Sequence, residues 1–296
     1  MAQLLSGLRH NRKALVGLTI VVIIVLIAIF APLLTEYAPA ARTGRPHQAP
    51  SAEHILGTTR LGQDVWARLI YGARTSLAVG FAAGLLITVV GTALGIIAGY
   101  RGGKTDEVIS FFTNMVLVVP NLPLLLVIAA FVGQAGPMVI AFILGITSWA
   151  WGARVTRAET LSVKQRDFVK AAEMMGEPQW RIMAFEIFPN VLSIVGINFI
   201  GSVIFAVITE ATLEFLGLGD PNVISWGTML YNAQKASALS VGAWWDILAP
   251  CIALALLGIG LSLLNFAVDE IANPRLRTGS SLGRWASLVK SGEGRL

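Results

Sequence analysis

The chain has 296 residues, of which 55% are apolar and only 13% are charged. This balance excludes an ordinary soluble domain of that length and indicates an integral membrane protein. The single cysteine, Cys251, excludes an intramolecular disulfide framework, and three histidines leave little material for a metal site. The net charge of +5 is explained by membrane topology, so we expect no nucleic-acid partner.

The first predicted span covers residues 14–34. An uncharged apolar run, long enough to cross a bilayer, follows the basic residues Arg9, Arg12 and Lys13. The run is longer than the core of a usual signal peptide, and the small-residue site at positions 38–40 carries a proline that suits cleavage poorly. We therefore expect a retained span.

Residues 35–74 are polar and contain several prolines, and they are predicted to form an extracytoplasmic segment. The segment leads to an interfacial helix that Asp64 can cap, with Arg68 and Arg74 within reach of lipid phosphates. Four potential ligands in it match no metal-site spacing, and we expect them to be solvated: His47, Glu53, His54 and Asp64.

Five further apolar runs give an all-α integral membrane protein with six transmembrane helices. They are predicted at residues 75–100, 108–134, 137–153, 191–217 and 247–268. With the amino terminus inside, 16 of the 22 basic residues fall on the side of the two termini and of the loop between spans 4 and 5. Because basic residues gather on the cytoplasmic side, both termini and this loop are predicted to face the cytoplasm.

The domain organisation follows from these spans. Residues 1–277 are predicted to form a single transmembrane domain. Residues 278–296 form a cytoplasmic tail that is basic and contains serine and glycine. Such a tail is expected to be disordered or to rest on anionic lipid.

The loop between spans 4 and 5, residues 164–190, contains the polar and charged stretch DFVKAAEMMGEPQWRIMAFEIFPN at positions 167–190. Asp167 can cap a first helix, and Gly176 can end it in the left-handed conformation. Pro178 suits the first turn of a second helix, which Pro189 is predicted to stop by displacing Phe188 from the helical region. The unit is predicted to be helix, corner, helix, with an apolar face that suits either a partner's groove or the membrane surface.

Two features inside the spans allow more than one interpretation. Pro120 and Pro123 are predicted to kink the third span, which either lines a pathway with freed carbonyls or serves packing alone. Glu210 and Glu214 lie one helical turn apart at the end of the fifth span. They fit a polar gate or docking point, and solvation at the outer surface explains them equally well.

Residues 98–105, AGYRGGKT, resemble a phosphate-binding loop with alanine at the first glycine position. Such a loop needs a buried strand before it, whereas a membrane helix is predicted here. We interpret the stretch as a short basic cytoplasmic turn and expect that the chain does not hydrolyse ATP by itself.

Several separate stretches resemble the inner-membrane permease subunits of bacterial ABC importers for dipeptides and oligopeptides, over about residues 5–277. They are HILGTTRLGQDVWARLIYGARTSL from position 54, EATLEFLGLG from 210, SWGTML from 225 and PRLR from 274. The 164–190 loop is similar to the family's coupling motif. In it Lys170 replaces the usual glutamate, and Phe185 and Glu186 replace an arginine–histidine pair.

The resemblance implies a permease that pairs with a second, homologous permease in the inner membrane of a bacterium. Its further partners are two ABC ATPase subunits or one fused ATPase chain, an extracytoplasmic substrate-binding protein, and membrane lipid. ATP and Mg are used by the ATPase partners, and this chain is expected to bind no cofactor. The ATPase-coupling residues implied by the motif are Ala171, Ala172, Glu173, Gly176, Glu177, Pro178, Arg181 and Pro189. The candidates for the pathway or outer gate are Pro120, Pro123, Asn198, Glu210, Glu214, Ser225 and Trp226.

Other functions remain open from the sequence. Within the same class of importer, nickel or another small solute is an alternative to peptides. An ion-coupled secondary transporter usually needs ionisable residues at mid-membrane depth, and the uncharged runs, the fifth of which ends at residue 209, contain none. A membrane-embedded enzyme has even less support, because no acid, base or nucleophile is clustered at that depth.

Overall fold

A computed structural model describes residues 11–272, with the side chains of 271 and 272 left aside. Within this range the chain is helical, and its only extended pairings are isolated bridges at Arg42–Gln63, Thr58–Asp64 and Ala135–Gly219. The all-α prediction is therefore confirmed for the described part. The PRLR stretch at 274–277, the 278–296 tail and the predicted cytoplasmic termini lie outside the described residues.

The helices are numbered in chain order. They are α1 (Arg12–Ile29), α2 (Ala31–Leu34), α3 (Val65–Arg101), α4 (Gly103–Val118), α5 (Asn121–Val132), α6 (Pro137–Thr147), α7 (Ala150–Lys164), α8 (Asp167–Met174), α9 (Gln179–Arg181), α10 (Phe188–Phe215), α11 (Trp226–Lys235) and α12 (Trp245–Ala272). A π-helical segment, Ile182–Ile187, joins α9 to α10.

Four helical stretches are long and apolar enough to cross a membrane: Arg12–Ile29, Val65–Arg101, Gln179–Phe215 and Trp245–Glu270. The number rises to six if each of two bent helix pairs is one span. The α4–α5 pair, in the region of the predicted span 108–134, bends by 85°. The α6–α7 pair bends by 44°, and its second helix continues to Lys164, past the predicted limit of 153.

The predicted interfacial helix and the predicted span 75–100 form one continuous helix, α3. Asp64 caps its amino terminus as predicted, because its carboxylate accepts a hydrogen bond of 2.7 Å from the Ala67 N–H. The helix has 37 residues and is about 55 Å long, well beyond the roughly 30 Å of a bilayer core. The prediction of a separate interfacial helix was wrong, since nothing in the sequence breaks the helix near residue 74.

Glycines let α3 pack closely against two other helices. Gly91, Gly95 and Gly99 lie along α7, and a Cβ added at Gly95 would be only 2.6 Å from the Ala153 carbonyl oxygen. Gly80 and Gly84 lie against α10, where an added Cβ would contact Val207 and Val203, respectively. Since apolar burial does not drive association in lipid, this small-residue packing is what brings helix backbones together. Thus α3 is the central helix of the fold.

The irregular segment at residues 35–64 is fixed to the helices by buried polar groups. His54 Nδ1 lies 2.8 Å from Asp64 Oδ2, and both side chains are almost fully buried. The Trp245 Nε1–H donates to the Thr58 carbonyl at 3.2 Å. The expectation of solvated side chains was therefore wrong for His54 and Asp64. Among residues 11–272, no three His, Cys, Asp or Glu side chains come together in a way that could hold a metal ion.

The turn at residues 98–105 lies between two helices. Helix α3 ends at Arg101, Gly102 has a φ of +67°, and α4 begins at Gly103. A helix, and not a strand, therefore precedes the glycines, so this stretch lacks the framework of a phosphate-binding loop.

Candidate functional site

The first candidate site is the 164–190 segment. Its first helix, α8, begins at Asp167. The N-cap residue is Arg166, and its side chain makes no capping hydrogen bond. The prediction of Asp167 as the cap was wrong by one residue; its carboxylate lies in the first turn, where the helix dipole favours negative charge. Gly176 has a φ of +77°, as predicted for the corner. The Glu177 N–H donates to the Ala172 carbonyl at 3.2 Å, which closes the end of the helix.

The second helix does not stop at Pro189. From Gln179 the chain stays helical to Phe215, through α9, the π-helical segment and α10. The Phe188 N–H reaches back five residues to the Met183 carbonyl, and this wider turn relieves the clash that a proline causes in a regular helix. Asn190 Nδ2 also donates to the Glu186 carbonyl at 2.7 Å, beside the proline. The predicted helix end at Pro189 was wrong, because a π-helical turn can accommodate a proline.

The inward face of the 164–190 segment is anchored on the transmembrane helices. Its buried side chains pack with residues of α3 and α7 in one apolar cluster: Val169, Ala172, Ile182, Ile187, Ile96, Tyr100 and Val163. Lys164 Nζ also donates to the Tyr100 carbonyl at 2.5 Å. The segment is therefore packed as part of the helical body.

The outward face carries large apolar side chains in solvent. Met174 is 82% exposed, Met175 76%, Trp180 63% and Phe185 62%. Trp180 and Phe185 form an edge-to-face pair with ring centroids 6.4 Å apart. An exposed apolar surface of this kind, with a polar surround, is typical of a protein or membrane contact.

The residues implied as coupling residues divide between the two faces. Ala172 is buried and Glu177 is half-buried, and Glu177 forms an ion pair with Arg181 one turn later. The others are exposed: Ala171, Glu173, Gly176, Pro178, Arg181 and Pro189. Most of this set is therefore solvent-accessible, and Ala172 belongs to the buried cluster beneath it.

The second candidate site is the buried carboxylate cluster, which consists of Ser76, Glu210, Glu214, Ser225 and Thr228. Both glutamates are almost completely buried, so solvation at the outer surface is the wrong interpretation. Ser225 Oγ donates to a carboxylate oxygen of Glu214, and Ser76 Oγ donates to Glu210 Oε1 at 3.4 Å. Ser225 and Thr228 also form a capping box at the start of α11. Glu214 is thus hydrogen-bonded to the loop after α10 and Glu210 to α3, while Glu210 Oε2 has no hydrogen-bond partner among the described residues.

Trp226 completes the attachment of that loop to α3. Its backbone N–H donates to Ser76 Oγ at 3.3 Å, and its Nε1–H donates to the Leu69 carbonyl at 3.0 Å. The side chain is only 1% exposed. Ser225 and Trp226 therefore hold the α10–α11 connection in place and do not line an open channel in this structure.

The third candidate site is the kink cavity, a space of about 570 Å³ beside the bend between α4 and α5. The bend lies at Val119 and Pro120, which confirms the predicted kink; Pro123 sits in the first turn of α5 and does not line the cavity. Asn121, Asn198 and Asn265 contribute amide groups to the wall. Within the described residues, Asn198 Nδ2 and Asn265 Oδ1 are buried without a hydrogen-bond partner.

Sequence reasoning missed Asn121 and Asn265. Both lie in apolar runs that were selected for the absence of charge, and a neutral amide does not interrupt such a run. The asparagines within the predicted spans were the signal that could have found this cavity, since polar side chains at membrane depth are costly and mark functional sites.

These sites and the helical fold define a membrane-embedded permease with an exposed contact segment. Two family models match the chain: "Binding-protein-dependent transport system inner membrane component" over residues 91–278, and "N-terminal TM domain of oligopeptide transport permease C" over residues 2–51. The chain belongs to this family of inner-membrane transport components. It is a multi-pass inner-membrane protein and a permease subunit of an ABC importer.

Relatives of similar length match almost the whole chain. The oligopeptide transport system permease protein OppC of Bacillus subtilis is 32% identical, over 91% of this chain and 88% of that protein. The dipeptide transport system permease protein DppC of Alkalihalophilus pseudofirmus is 34% identical, over 92% and 88%. The DppC protein of Haemophilus influenzae is 31% identical, over 91% and 92%.

A solved structure has a similar fold. It is an inward-facing form of the MetNI methionine ABC transporter, with a TM-score of 0.54 and 21% sequence identity. The match covers 69% of this chain and 94% of that chain. At this identity the likeness concerns the fold alone.

Proposed function

We propose that this chain is one of two homologous permeases of a peptide importer and forms half of its translocation pathway. In this proposal it has six spans with both termini in the cytoplasm, and it works with two ATPase subunits, or one fused ATPase chain, and with an extracytoplasmic binding protein. The relatives named as peptide permeases support the substrate class. The observation that carries the proposal is the exposed apolar face of the 164–190 segment. The opposite, inward face of the same segment packs against α3 and α7.

The segment is attached to the helices in a way that can transmit movement. Ile182 and Ile187 are anchored in the cluster with α3, and the same continuous helix extends from Gln179 to Phe215. A displacement of the outer face is therefore transmitted along α10. In the proposed cycle ATP and Mg bind to the partner subunits, their closure moves the 164–190 segment, and the spans tilt so that the pathway opens on its other side. This chain itself holds no nucleotide.

The kink cavity is the proposed part of the pathway in this subunit. Its walls contain amide and hydroxyl groups from Asn121, Asn198, Asn265 and Ser148 and no charged side chain. Neutral donors and acceptors pair with peptide bonds, and they do so whatever side chains the peptide carries. Nickel is not favoured, because the cavity lacks the imidazole and carboxylate ligands that such an ion prefers.

The glycine corner provides the test of coupling. Gly176 has a φ of +77°, and a Cβ at this position would meet nothing within 4 Å, so a β-branched residue is opposed by backbone strain and not by a clash within the chain. The strain of Gly176→Val is on the order of 1 to 3 kcal/mol, similar to a typical coupling free energy between sites. We expect normal insertion in the membrane with a loss of uptake and of ATPase stimulation by loaded binding protein.

Gly102→Val is the matched control, because Gly102 has a φ of +67° and equally open surroundings outside the 164–190 segment. It should retain uptake and ATPase stimulation. Co-purification with the ATPase subunits, stimulation and uptake are measured in the same reconstituted preparation. Unchanged stimulation and uptake in Gly176→Val would show that the segment is a surface element without a role in coupling.

The proposed orientation has its own test. Cys251 is exposed and is first replaced by alanine. A cysteine is then introduced at the exposed position Gln179 or at the exposed position Ala52. The first should react with an impermeant maleimide only after the membrane is permeabilised, and the second should react in intact spheroplasts. The reverse pattern would rule out the six-span orientation.

A further inference from the structure

A small pocket lies apart from the 164–190 segment, the buried carboxylate cluster and the kink cavity. It has a volume of about 240 Å³ and is enclosed by the end of the irregular segment, the start of α3, α11 and the start of α12. Its polar walls come from these residues: Thr59, Arg60, Gln63, Arg68, Asn232, Lys235 and Asp246. Nothing in the proposed transport cycle uses these groups.

Asp246 is the acidic group of the pocket. The residue is only 3% exposed, yet its carboxylate accepts no hydrogen bond from any residue in the range 11–272 and faces the pocket instead. Only its backbone is engaged, through a hydrogen bond of 3.3 Å from its N–H to the Ala243 carbonyl. Buried carboxylates are paired in nearly all proteins, because a buried charge without a partner is strongly unfavourable. The open position beside Asp246 therefore calls for a hydrogen-bond donor, and a cationic donor suits it best.

Arg68 is the buried basic group of the pocket, only 6% exposed, whereas Arg60 and Lys235 are exposed. One nitrogen of the guanidinium makes two hydrogen bonds within the chain, since Nη1 donates to Gln63 Oε1 at 2.7 Å and to the Pro39 carbonyl at 3.4 Å. Its Nε and Nη2 groups have no hydrogen-bond acceptor within the described residues and remain available toward the pocket. The expectation that Arg68 reaches lipid phosphates is thus wrong, because the side chain is turned inward.

The two charges face one space but do not join. Arg68 and Asp246 line the same pocket, while the described residues contain no direct ion pair between them within 4.0 Å. A lone anion would satisfy Arg68 and leave the buried Asp246 beside a second negative charge. A lone cation would do the opposite. A molecule with both charges satisfies both walls at once.

We propose that this pocket binds a small zwitterion of the amino acid or dipeptide type. Its ammonium group donates to the Asp246 carboxylate, and its carboxylate accepts from the free N–H groups of Arg68. The pocket is smaller than the roughly 300 to 1,000 Å³ of sites for drug-sized ligands, which fits a molecule of few heavy atoms. Lys235 also lines the pocket, with Nζ 4.7 Å from the Tyr231 ring centroid, and adds positive charge.

The test measures binding of radiolabelled alanylalanine to the assembled transporter in nanodiscs, without the binding protein. Asp246→Asn and Arg68→Gln should each weaken the binding at least about tenfold, because each leaves one end of the zwitterion unpaired in a buried site. Asp220→Asn and Arg74→Gln are the matched controls, since they remove the same charges from positions outside the pocket. The controls should bind as tightly as the parent.

A second measurement uses only the parent protein and so does not depend on the folding of any variant. N-acetylalanine amide, which lacks both charges, should fail to compete with alanylalanine for the pocket. Equal competition by the neutral analogue, or binding by both pocket variants within twofold of the parent, would overturn the proposal. Uptake by the complete system with its binding protein is measured separately, so a failure here is distinct from a failure of the peptide-importer proposal.

Discussion

The two ends of the continuous helix from Gln179 to Phe215 are built in opposite ways. At the start, Trp180 and Phe185 are exposed although they are large and apolar. At the end, Glu210 and Glu214 are buried although they are acidic. The apolar end presents a contact surface, and the acidic end is a closed joint between the helix and the loop that follows.

Side-chain chemistry alone therefore does not decide the role of a residue in this membrane protein. The buried glutamates have hydroxyl partners from α3 and α11, so their burial holds three helices together. The exposed aromatic residues rest on a buried layer that includes Ile182. A contact surface that rests on a buried layer can transmit movement to the helix. At the other end, hydrogen bonds hold the helix in place.

The largest effect is expected from removing the base of the contact surface. Ile182 is 1% exposed, and Ile182→Ala should destabilise the 164–190 segment by about 2 to 5 kcal/mol, through lost burial and the cavity that remains. Limited proteolysis should then cut the segment faster. Trp180→Ala removes a larger but exposed side chain from the same turn and should leave the proteolysis rate unchanged. If the two variants are cut equally fast, the segment is not anchored as the structure indicates.

A smaller effect is expected at the closed end. Glu214→Ala should lower the thermal stability of the purified complex by about 1 to 3 kcal/mol, because it leaves the hydroxyl group of Ser225 without its buried acceptor. Glu173→Ala, at an exposed position of α8, should change the stability by less than about 0.5 kcal/mol. A similar unfolding temperature for both variants would contradict the role of the cluster as a joint.

The smallest effect concerns the ion pair between Glu177 and Arg181. Both side chains are partly solvent-exposed and lie one helical turn apart, so the pair should contribute only about 0.3 to 0.5 kcal/mol. A double-mutant cycle with Glu177→Gln and Arg181→Gln, read out as affinity for the ATPase subunits, measures this contribution. High salt should reduce it further. A coupling energy well above 1 kcal/mol would instead place the pair in the buried part of a partner interface.

Local sequence predicted several features of both ends correctly. The positive φ of Gly176 follows from a glycine after a short helical pattern, and the Asp64 cap follows from an acidic residue directly before an apolar-periodic run. The Pro120 kink follows from the missing N–H of proline within an apolar run. Each depends on a few neighbouring residues, so it could be predicted without any knowledge of the fold.

The predictions that failed depended on what lies next to a residue in space. Pro189 was expected to end a helix, but the π-helical turn before it and the Asn190 side chain accommodate it. Asp167 was expected to cap α8, whereas the chain path places Arg166 at the cap. Span 4 was expected to be one helix over residues 137–153, whereas it is a helix pair that bends by 44° and continues to Lys164.

The sequence by itself determined that this is a helical membrane protein with an amphipathic segment between its fourth and fifth apolar regions, because composition and periodicity carry that information locally. Only the tertiary structure decided which polar groups are buried together. Ser76 meets Glu210 across 134 residues of chain, and Trp245 reaches Thr58 across 187. Arg68 and Asp246 share their pocket for the same reason. Such contacts depend on how closely the glycines of α3 let the other helices approach, which no local pattern in the sequence records.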